Sequence, residues 1–178
     1  GKLNFDGQGD FLGSFNSDDL IVSLNKDGTY ELSNTDFSKR YNMKELILIE
    51  KFNPDSVYSL IYKNGKTKDF YVKRFKIKTS TLDRKFSLTQ DIRYSKIFAA
   101  TSKINQLLKF NYVSKKGVKK SKEIEIDKFV TVKNWKAIGN KLNGFMRLSS
   151  FKITSLNNQD SDTYLNLIDW LPVVEFFK

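Results

Sequence analysis

Lysine and arginine are the side chains of this sequence whose number and spacing could carry a function, and what they can do is neutralise an anion. Residues 51–122 hold 19 Lys and Arg against 4 Asp and Glu, whereas residues 1–50 hold 5 against 9 and residues 123–178 hold 7 of each. A lysine-rich composition alone would spread its charge evenly. Here the acids vacate the same stretch that the bases fill. Two clusters result: Lys63, Lys66, Lys68, Lys73, Arg74, Lys76, Lys78, Arg84 and Lys85, and then Lys115, Lys116, Lys119, Lys120 and Lys122. Cations concentrated on strands and turns are the electrostatic footprint of a phosphate-backbone binder.

Other chemistry is scarce. The sequence has no histidine and no cysteine, which removes imidazole bases, thiol nucleophiles, disulfides and the commonest zinc ligands together. Carboxylates do occur in sets, Asp18 with Asp19 and Glu123 with Glu125 and Asp127, but acids spaced by two on a strand make a solvated face rather than a metal or acid–base site. No glycine loop of the phosphate-cradling type and no recognisable nucleophile setting is present. Catalytic residues and metal ligands are therefore expected to be none. There is no signal peptide and no apolar run near the ~18 residues a membrane span needs, so no membrane partner is expected and the cytoplasm is the default location. Opening at Gly1 rather than Met, the chain reads as a piece of something longer.

The elements that must position these cations read as β-hairpins. Val57 to Tyr62 is β-branched and aromatic, Lys63-Asn64-Gly65-Lys66 supplies a turn tolerant of positive φ, and Phe70 to Ile77 is again strand-like. Tyr71, Phe75 and Ile77 share one face of that second run and Arg74, Lys76 and Lys78 the other, one suited to a core and one to an anion. Leu20 to Leu24, Lys26-Asp27-Gly28 and Thr29 to Leu32 form an earlier hairpin. Leu107 to Val113, Lys115-Lys116-Gly117 and Val118 to Ile126 form a later one. Met43 to Phe52 has helix propensity, but Leu46-Ile47-Leu48-Ile49 ahead of Asn53-Pro54-Asp55 reads as a strand ending in a turn. Ser95 to Thr101 is another short apolar run.

The glycines of the three turns, Gly28, Gly65 and Gly117, are 37 and 52 residues apart, bracketing the period of four-stranded propeller blades. The spacing predicts an all-β array of repeated hairpins. Residues 1–17 read as an irregular opening segment with at most one outer strand, and residues 18–156 as the array. Residues 157–178, with Trp170, Phe176 and Phe177, read as a closing strand or an apolar terminus.

The stretch from Tyr62 to Thr89, YKNGKTKDFYVKRFKIKTSTLDRKFSLT, resembles the pattern YRDGKSGPYYIKRF…T.DREYDLT. Its flanks are DGTYELSNTDF before it and FSLTQDIRYSKIFAATS after it. On these residues the chain resembles the C-terminal domain of the A subunit of bacterial type IIA DNA topoisomerases. The likeness is to the A subunit of topoisomerase IV, or to a gyrase-like A subunit, of Bacteroidetes-type bacteria, over roughly Asp18 to Ile153. That resemblance implies a β-propeller-like disc, a β-pinwheel, here of about three to four blades and partial or atypically closed. The heptapeptide Gln-Arg-Arg-Gly-Gly-Lys-Gly that marks gyrase has no match; Gly139-Asn140-Lys141 is its nearest remnant, which favours topoisomerase IV.

The resemblance further implies a non-catalytic domain that holds and bends duplex DNA on a basic rim and presents it for ATP-dependent strand passage. The active-site tyrosine, ATP and magnesium would then belong to other parts of the holoenzyme. No cofactor is expected in this fragment, and its partners would be double-stranded DNA, the ATPase B subunit and the rest of the A subunit, in the nucleoid. Two alternatives stay open. An RNA or single-strand binder would use the same charge with Tyr62, Phe70, Tyr71 and Phe75 as stacking platforms, and a protein-interaction propeller would carry its charge incidentally.

Overall fold

Residues 1–156 and 173–177 are described by the structure, a computed structural model of the chain. In chain order the strands are β1 (Lys2–Asn4), β2 (Asp10–Ser14), β3 (Leu20–Asn25), β4 (Thr29–Asn34), β5 (Leu46–Lys51), β6 (Tyr58–Lys63), β7 (Phe70–Lys76), β8 (Phe86–Ser87), β9 (Lys96–Thr101), β10 (Gln106–Ser114) and β11 (Lys119–Glu125). A single helical turn, α1 (Ile126–Phe129), follows. After it come β12 (Val132–Asn134), β13 (Asn140–Lys141), β14 (Phe145–Ser155) and β15 (Val173–Phe177). The expected all-β class holds, and Met43 to Phe52 contains a strand rather than a helix.

All three expected hairpins form, each through turn chemistry written locally. In β3–β4, Gly28 sits at φ 89° and the Asp27 carboxylate accepts from the Thr29 amide at 3.0 Å. In β10–β11, Gly117 sits at φ 78° and the Ser114 hydroxyl accepts from the Val118 amide at 3.2 Å. The β6–β7 turn differs from its expected form. Its left-handed residue is Lys68 (φ 61°), while the Asn64 side chain accepts from the amides of Lys66 and Thr67 at 2.9 and 3.1 Å. Gly65 is required for another reason: a Cβ there would lie 1.8 Å from the Arg93 carbonyl oxygen and 2.6 Å from the Ser95 nitrogen.

The strands form four sheets, ordered β1-β15-β2, β5-β3-β4-β8, β12-β7-β6-β9 with β13 also on β7, and β11-β10-β14. One connection pattern recurs. After the hairpin β6–β7 the chain returns to add β8 to β4 of the preceding sheet, then comes back to lay β9 against β6. After β10–β11 it returns to add β12 and β13 to β7, then lays β14 against β10. The segment after β3–β4 does likewise in reduced form: Tyr41 and Gly1 exchange backbone hydrogen bonds of 2.9 and 2.8 Å before β5 pairs with β3. Thus the repeat suggested by three turn glycines is a repeat of topology.

Side-chain alternation lets each inner sheet face two neighbours. Ile21 of β3 joins Leu3, Phe15, Tyr41 and Phe176 in one core, while Val22 and Leu24 of the same strand enter a second with Tyr58, Leu60, Tyr62, Phe75 and Ile77. Ile61 and Val72 turn the other way, into a third core with Leu108, Phe110, Ile126 and Val130. Both faces of β7 are therefore packed, which corrects the expectation that one of them is an open anion-binding face.

The opening segment is more regular than expected. It supplies two strands, β1 and β2, and β15 lies between them, antiparallel to both. Phe176 is buried there, edge-on to Tyr41 with ring centroids 5.6 Å apart. Trp170 and the Phe177 side chain lie outside the described residues.

Candidate nucleic-acid interface

The first cationic surface is built by the β6–β7 turn and the loop from Leu88 to Ser95, which lie in backbone contact at Gly65. The turn exposes Lys66 and Lys68, and Lys63 holds its ammonium 5.5 Å above the Phe70 ring. Lys63 stands directly opposite Lys96 of β9, a like-charge cross-strand pair that is unfavourable unless an anion or solvent screens it. The loop adds Arg93, whose guanidinium lies 5.0 Å from the Tyr94 ring. Beyond β7, Lys78, Arg84 and Lys85 are exposed, with Arg84 5.3 Å from the Phe86 ring. Across from them Lys136 lies 5.2 Å from the Trp135 ring and accepts at its carbonyl from the Gln90 side chain at 2.8 Å. Lys63, Arg84, Arg93 and Lys136 lie against aromatic rings and the others face solvent, and none has a carboxylate in ion-pair reach among the described residues.

The second surface is the fourth sheet. Lys115, Lys116, Lys119, Lys120 and Lys122 are all exposed on the β10–β11 hairpin. Strand register divides them, Lys119 lying on the same face as Ser121, Asn111 and Arg147, and Lys120 and Lys122 beside Tyr112 and Phe110 on the opposite face of the edge strand. On the first of these faces a polar rung crosses the sheet: Ser121 donates to the Asn111 side-chain oxygen at 2.6 Å, and the Asn111 amide donates to Ser150 at 2.9 Å. Lys152 stands opposite Lys109, and Lys109 pairs with Glu123 at 3.0 Å.

Two of the expected contact residues are not available to a ligand. Lys73 is 1% exposed, and its ammonium donates to the carbonyls of Leu88 and Trp135 at 2.7 and 2.6 Å. Burial without a carboxylate pushes its pKa down to about 8. Arg74 is largely enclosed and holds the turn α1 to β7, pairing with the Asp127 carboxylate at 3.4 Å and donating to the Val130 carbonyl at 3.3 Å. The reason is the two-sided packing of β7. Lys73 shares the parity of Tyr71, Phe75 and Ile77, a rule the sequence reading applied to those three and not to Lys73. Lys76 is half-buried, opposite Asn134 of β12, with no ion pair among the described residues. Lys63 is likewise half-buried, and Lys66, Lys68, Lys78, Arg84 and Lys85 remain exposed. Reasoning from the sequence missed Arg93, Lys96, Lys136, Arg147 and Lys152, which only strand register and loop packing bring beside the two clusters.

Four of the five carboxylates in these sets serve ion pairs. Asp19 pairs with Lys51 at 2.7 Å, which holds its pKa below the usual carboxylate value, Glu125 pairs with Lys128 at 2.6 Å, and Glu123 and Asp127 are the partners already named. Gly139-Asn140-Lys141 is not a free basic loop. Gly139 abuts the Val72 carbonyl, Asn140 donates to the Phe129 carbonyl at 2.7 Å, and Lys141 pairs with Asp69 at 2.8 Å. The aromatic platforms considered for single strands are also committed to packing. Tyr62 and Phe75 are buried, and Tyr62 stacks on Tyr71 at 5.6 Å and donates to the Ile138 carbonyl at 2.8 Å.

No curated protein and no solved structure matches the chain. A family profile does: the topoisomerase C-terminal domain of Bacteroidota aligns with residues 2–158, from β1 through β14 and both basic surfaces. The match spans most of the chain, and the chain belongs to the topoisomerase C-terminal domain family of Bacteroidota.

Proposed function

We propose that this domain holds and bends duplex DNA for a type IIA topoisomerase, without chemistry of its own. The observation that carries the reading is the set of exposed, carboxylate-free cations at the β6–β7 turn, the 78–85 segment and the β10–β11 hairpin, in a member of a topoisomerase family. Such cations neutralise phosphates and release counterions whatever the base sequence. The four sheets would act as blades of a propeller-like array whose outer turns form one curved track. Bending a duplex by tens of degrees costs on the order of 1–6 kcal/mol, which several phosphate contacts offset. The B subunit, with the rest of the A subunit, would supply the active-site tyrosine, ATP and magnesium. With Gly139-Asn140-Lys141 pinned to β7 rather than presented as a basic loop, topoisomerase IV fits better than gyrase.

The test is binding to a linear duplex of about 40 base pairs at several salt concentrations, beside a variant with Lys66, Lys78, Arg84 and Lys85 changed to Ala. Steep weakening with salt is expected, with a slope shallower by about 0.9 for each phosphate contact removed. Absence of duplex binding at moderate salt would leave the charge as surface decoration and favour a protein-interaction role.

A further inference from the structure

The loop between β8 and β9 has features that phosphate neutralisation does not require. Tyr94 is 70% exposed at its tip, in the left-handed region at φ 63°, a conformation that an aromatic side chain rarely adopts. Gln90 and Asp91 in the same loop also lie there, at φ 57° and 55°. Such geometry persists only where the surroundings over-determine it. They do so here. The buried Lys73 ammonium holds the Leu88 carbonyl, Ser87 accepts from the amides of Thr89 and Asp91 at 3.2 and 2.8 Å, and Gln90 ties the loop to the Lys136 carbonyl. At the far end the buried Ser95 hydroxyl accepts from the Gly65 amide at 2.9 Å. These anchors hold the loop on both sides of Tyr94, through its backbone and through the Gln90 and Ser95 side chains, and the ring stays exposed.

We propose that Tyr94 is a base-stacking wedge: its ring enters a duplex at a flexible base step while the cations around it grip the flanking phosphates. This rests on the reading of the domain as a duplex binder and adds a contact to the bases themselves. Arg93 lies against the ring, and the turn carrying Lys63 and Lys66 packs under the loop, with Lys96 opposite Lys63. An apolar or aromatic wedge of this kind partly unstacks one step and kinks the duplex, most cheaply at pyrimidine–purine steps. A rigid loop is what a wedge needs, because a flexible one would fold away from the stack. The wedge gives an otherwise sequence-tolerant track a preferred bend point.

The experiment uses the whole chain and 40-base-pair duplexes with a central TA step or an A-tract, each carrying 2-aminopurine at the centre, whose fluorescence rises on unstacking. Tyr94→Asn removes the ring but tolerates positive φ, so the fold is retained, and Tyr94→Gly serves as a second such variant. Tyr94→Phe keeps the ring. The wild type and Tyr94→Phe are expected to bind the TA duplex more tightly than the A-tract and to brighten the probe. Tyr94→Asn and Tyr94→Gly should lose the brightening and bind the TA duplex roughly 5- to 100-fold more weakly, with an unchanged salt slope. If both ring-deleted variants match the wild type, the wedge is overturned while duplex binding stands. Loss of affinity in Tyr94→Phe equal to that in Tyr94→Asn would place the effect in the hydroxyl and overturn it too, as would dependence on Tyr94 seen with single strands alone. A wild type that binds no duplex overturns both readings.

Discussion

An ammonium buried without a carboxylate weakens the fold whenever it must carry its charge, and Lys73 is such a group. Its folded-state pKa, lowered by burial to about 8, lies below the 10.5 of a solvated lysine, so between these values the unfolded chain binds more protons than the folded one. Stability attributable to Lys73 therefore rises with pH across that window. Compared with Lys73→Met, the wild type should gain on the order of 2 kcal/mol between pH 7.5 and 9.5, read from denaturant midpoints of the two proteins at each pH. A constant difference would mean that the ammonium is as well solvated folded as unfolded. Above pH 10 the burial that raises the pKa values of Tyr58 and Tyr62 lowers the stability of both proteins alike, because the unfolded chain ionises its tyrosines first, and leaves their difference unchanged. Duplex affinity of Lys73→Met should keep the wild-type salt slope, since its side chain reaches no surface. Side-chain parity was enough to place Lys73 on the core face. That both faces of β7 are cores was not legible, because sheet stacking is a long-range outcome.

Elements were more legible than sites, because strands and turns are written locally while register and packing are not. The short apolar run Leu20-Ile21-Val22-Ser23-Leu24 marks β3 as a buried strand, and Asp27-Gly28 carries its turn. Gly65 is the instructive exception. An Asn-Gly turn suggests positive φ, yet what demands glycine is the 93–95 backbone lying where a Cβ would be. Gly65→Ala should then cost on the order of 3 kcal/mol, because backbone rather than a flexible side chain must move. Gly117→Ala, at φ 78° with nothing within 4 Å of the added atom, should cost only about 1 kcal/mol. Chemical denaturation of the two variants separates the mechanisms, and a Gly65→Ala cost as small as that of Gly117→Ala would show that the 93–95 backbone yields readily to a Cβ. The same logic reaches β15, which lies beyond the 2–158 family match yet pairs with β1 and β2. Truncating its buried ring in Phe176→Ala should cost roughly 3–5 kcal/mol. Hydrogen exchange should show the loss concentrated in β1, β2 and β15, with the β6–β7 and β10–β11 ladders protected as before. Uniform loss of protection would show that the four sheets unfold as one unit.

At the scale of the whole molecule the charge divides along the stack of sheets. The −4 of residues 1–50 resides mainly in the first two sheets, and most of the +15 of residues 51–122 falls on the third and fourth, with Arg84 and Lys85 beside β8 at the edge of the second. The division was plain in the sequence, but which cations share a surface was not, since Lys63 meets Lys96 and Lys119 neighbours Arg147 only through register. A track running over both sheets makes a prediction that two separate patches do not. Changing Lys66, Lys78, Arg84 and Lys85 to Ala should flatten the salt slope of duplex binding, and changing Lys115, Lys119, Lys120 and Lys122 should do the same. On a continuous track the variant carrying both sets loses the sum of the two reductions, about 0.9 per contact removed, because each group releases its own counterions. If one patch alone binds, the second set changes nothing once the first is gone. Duplex length separates the cases again: a track over two sheets requires a longer minimum duplex than either patch, so shortening the probe should lower the slope of the wild type to that of a single-cluster variant. A slope that stays constant as the duplex shrinks would confine binding to one sheet, and the wedge at Tyr94, seated in the third, would then mark which one.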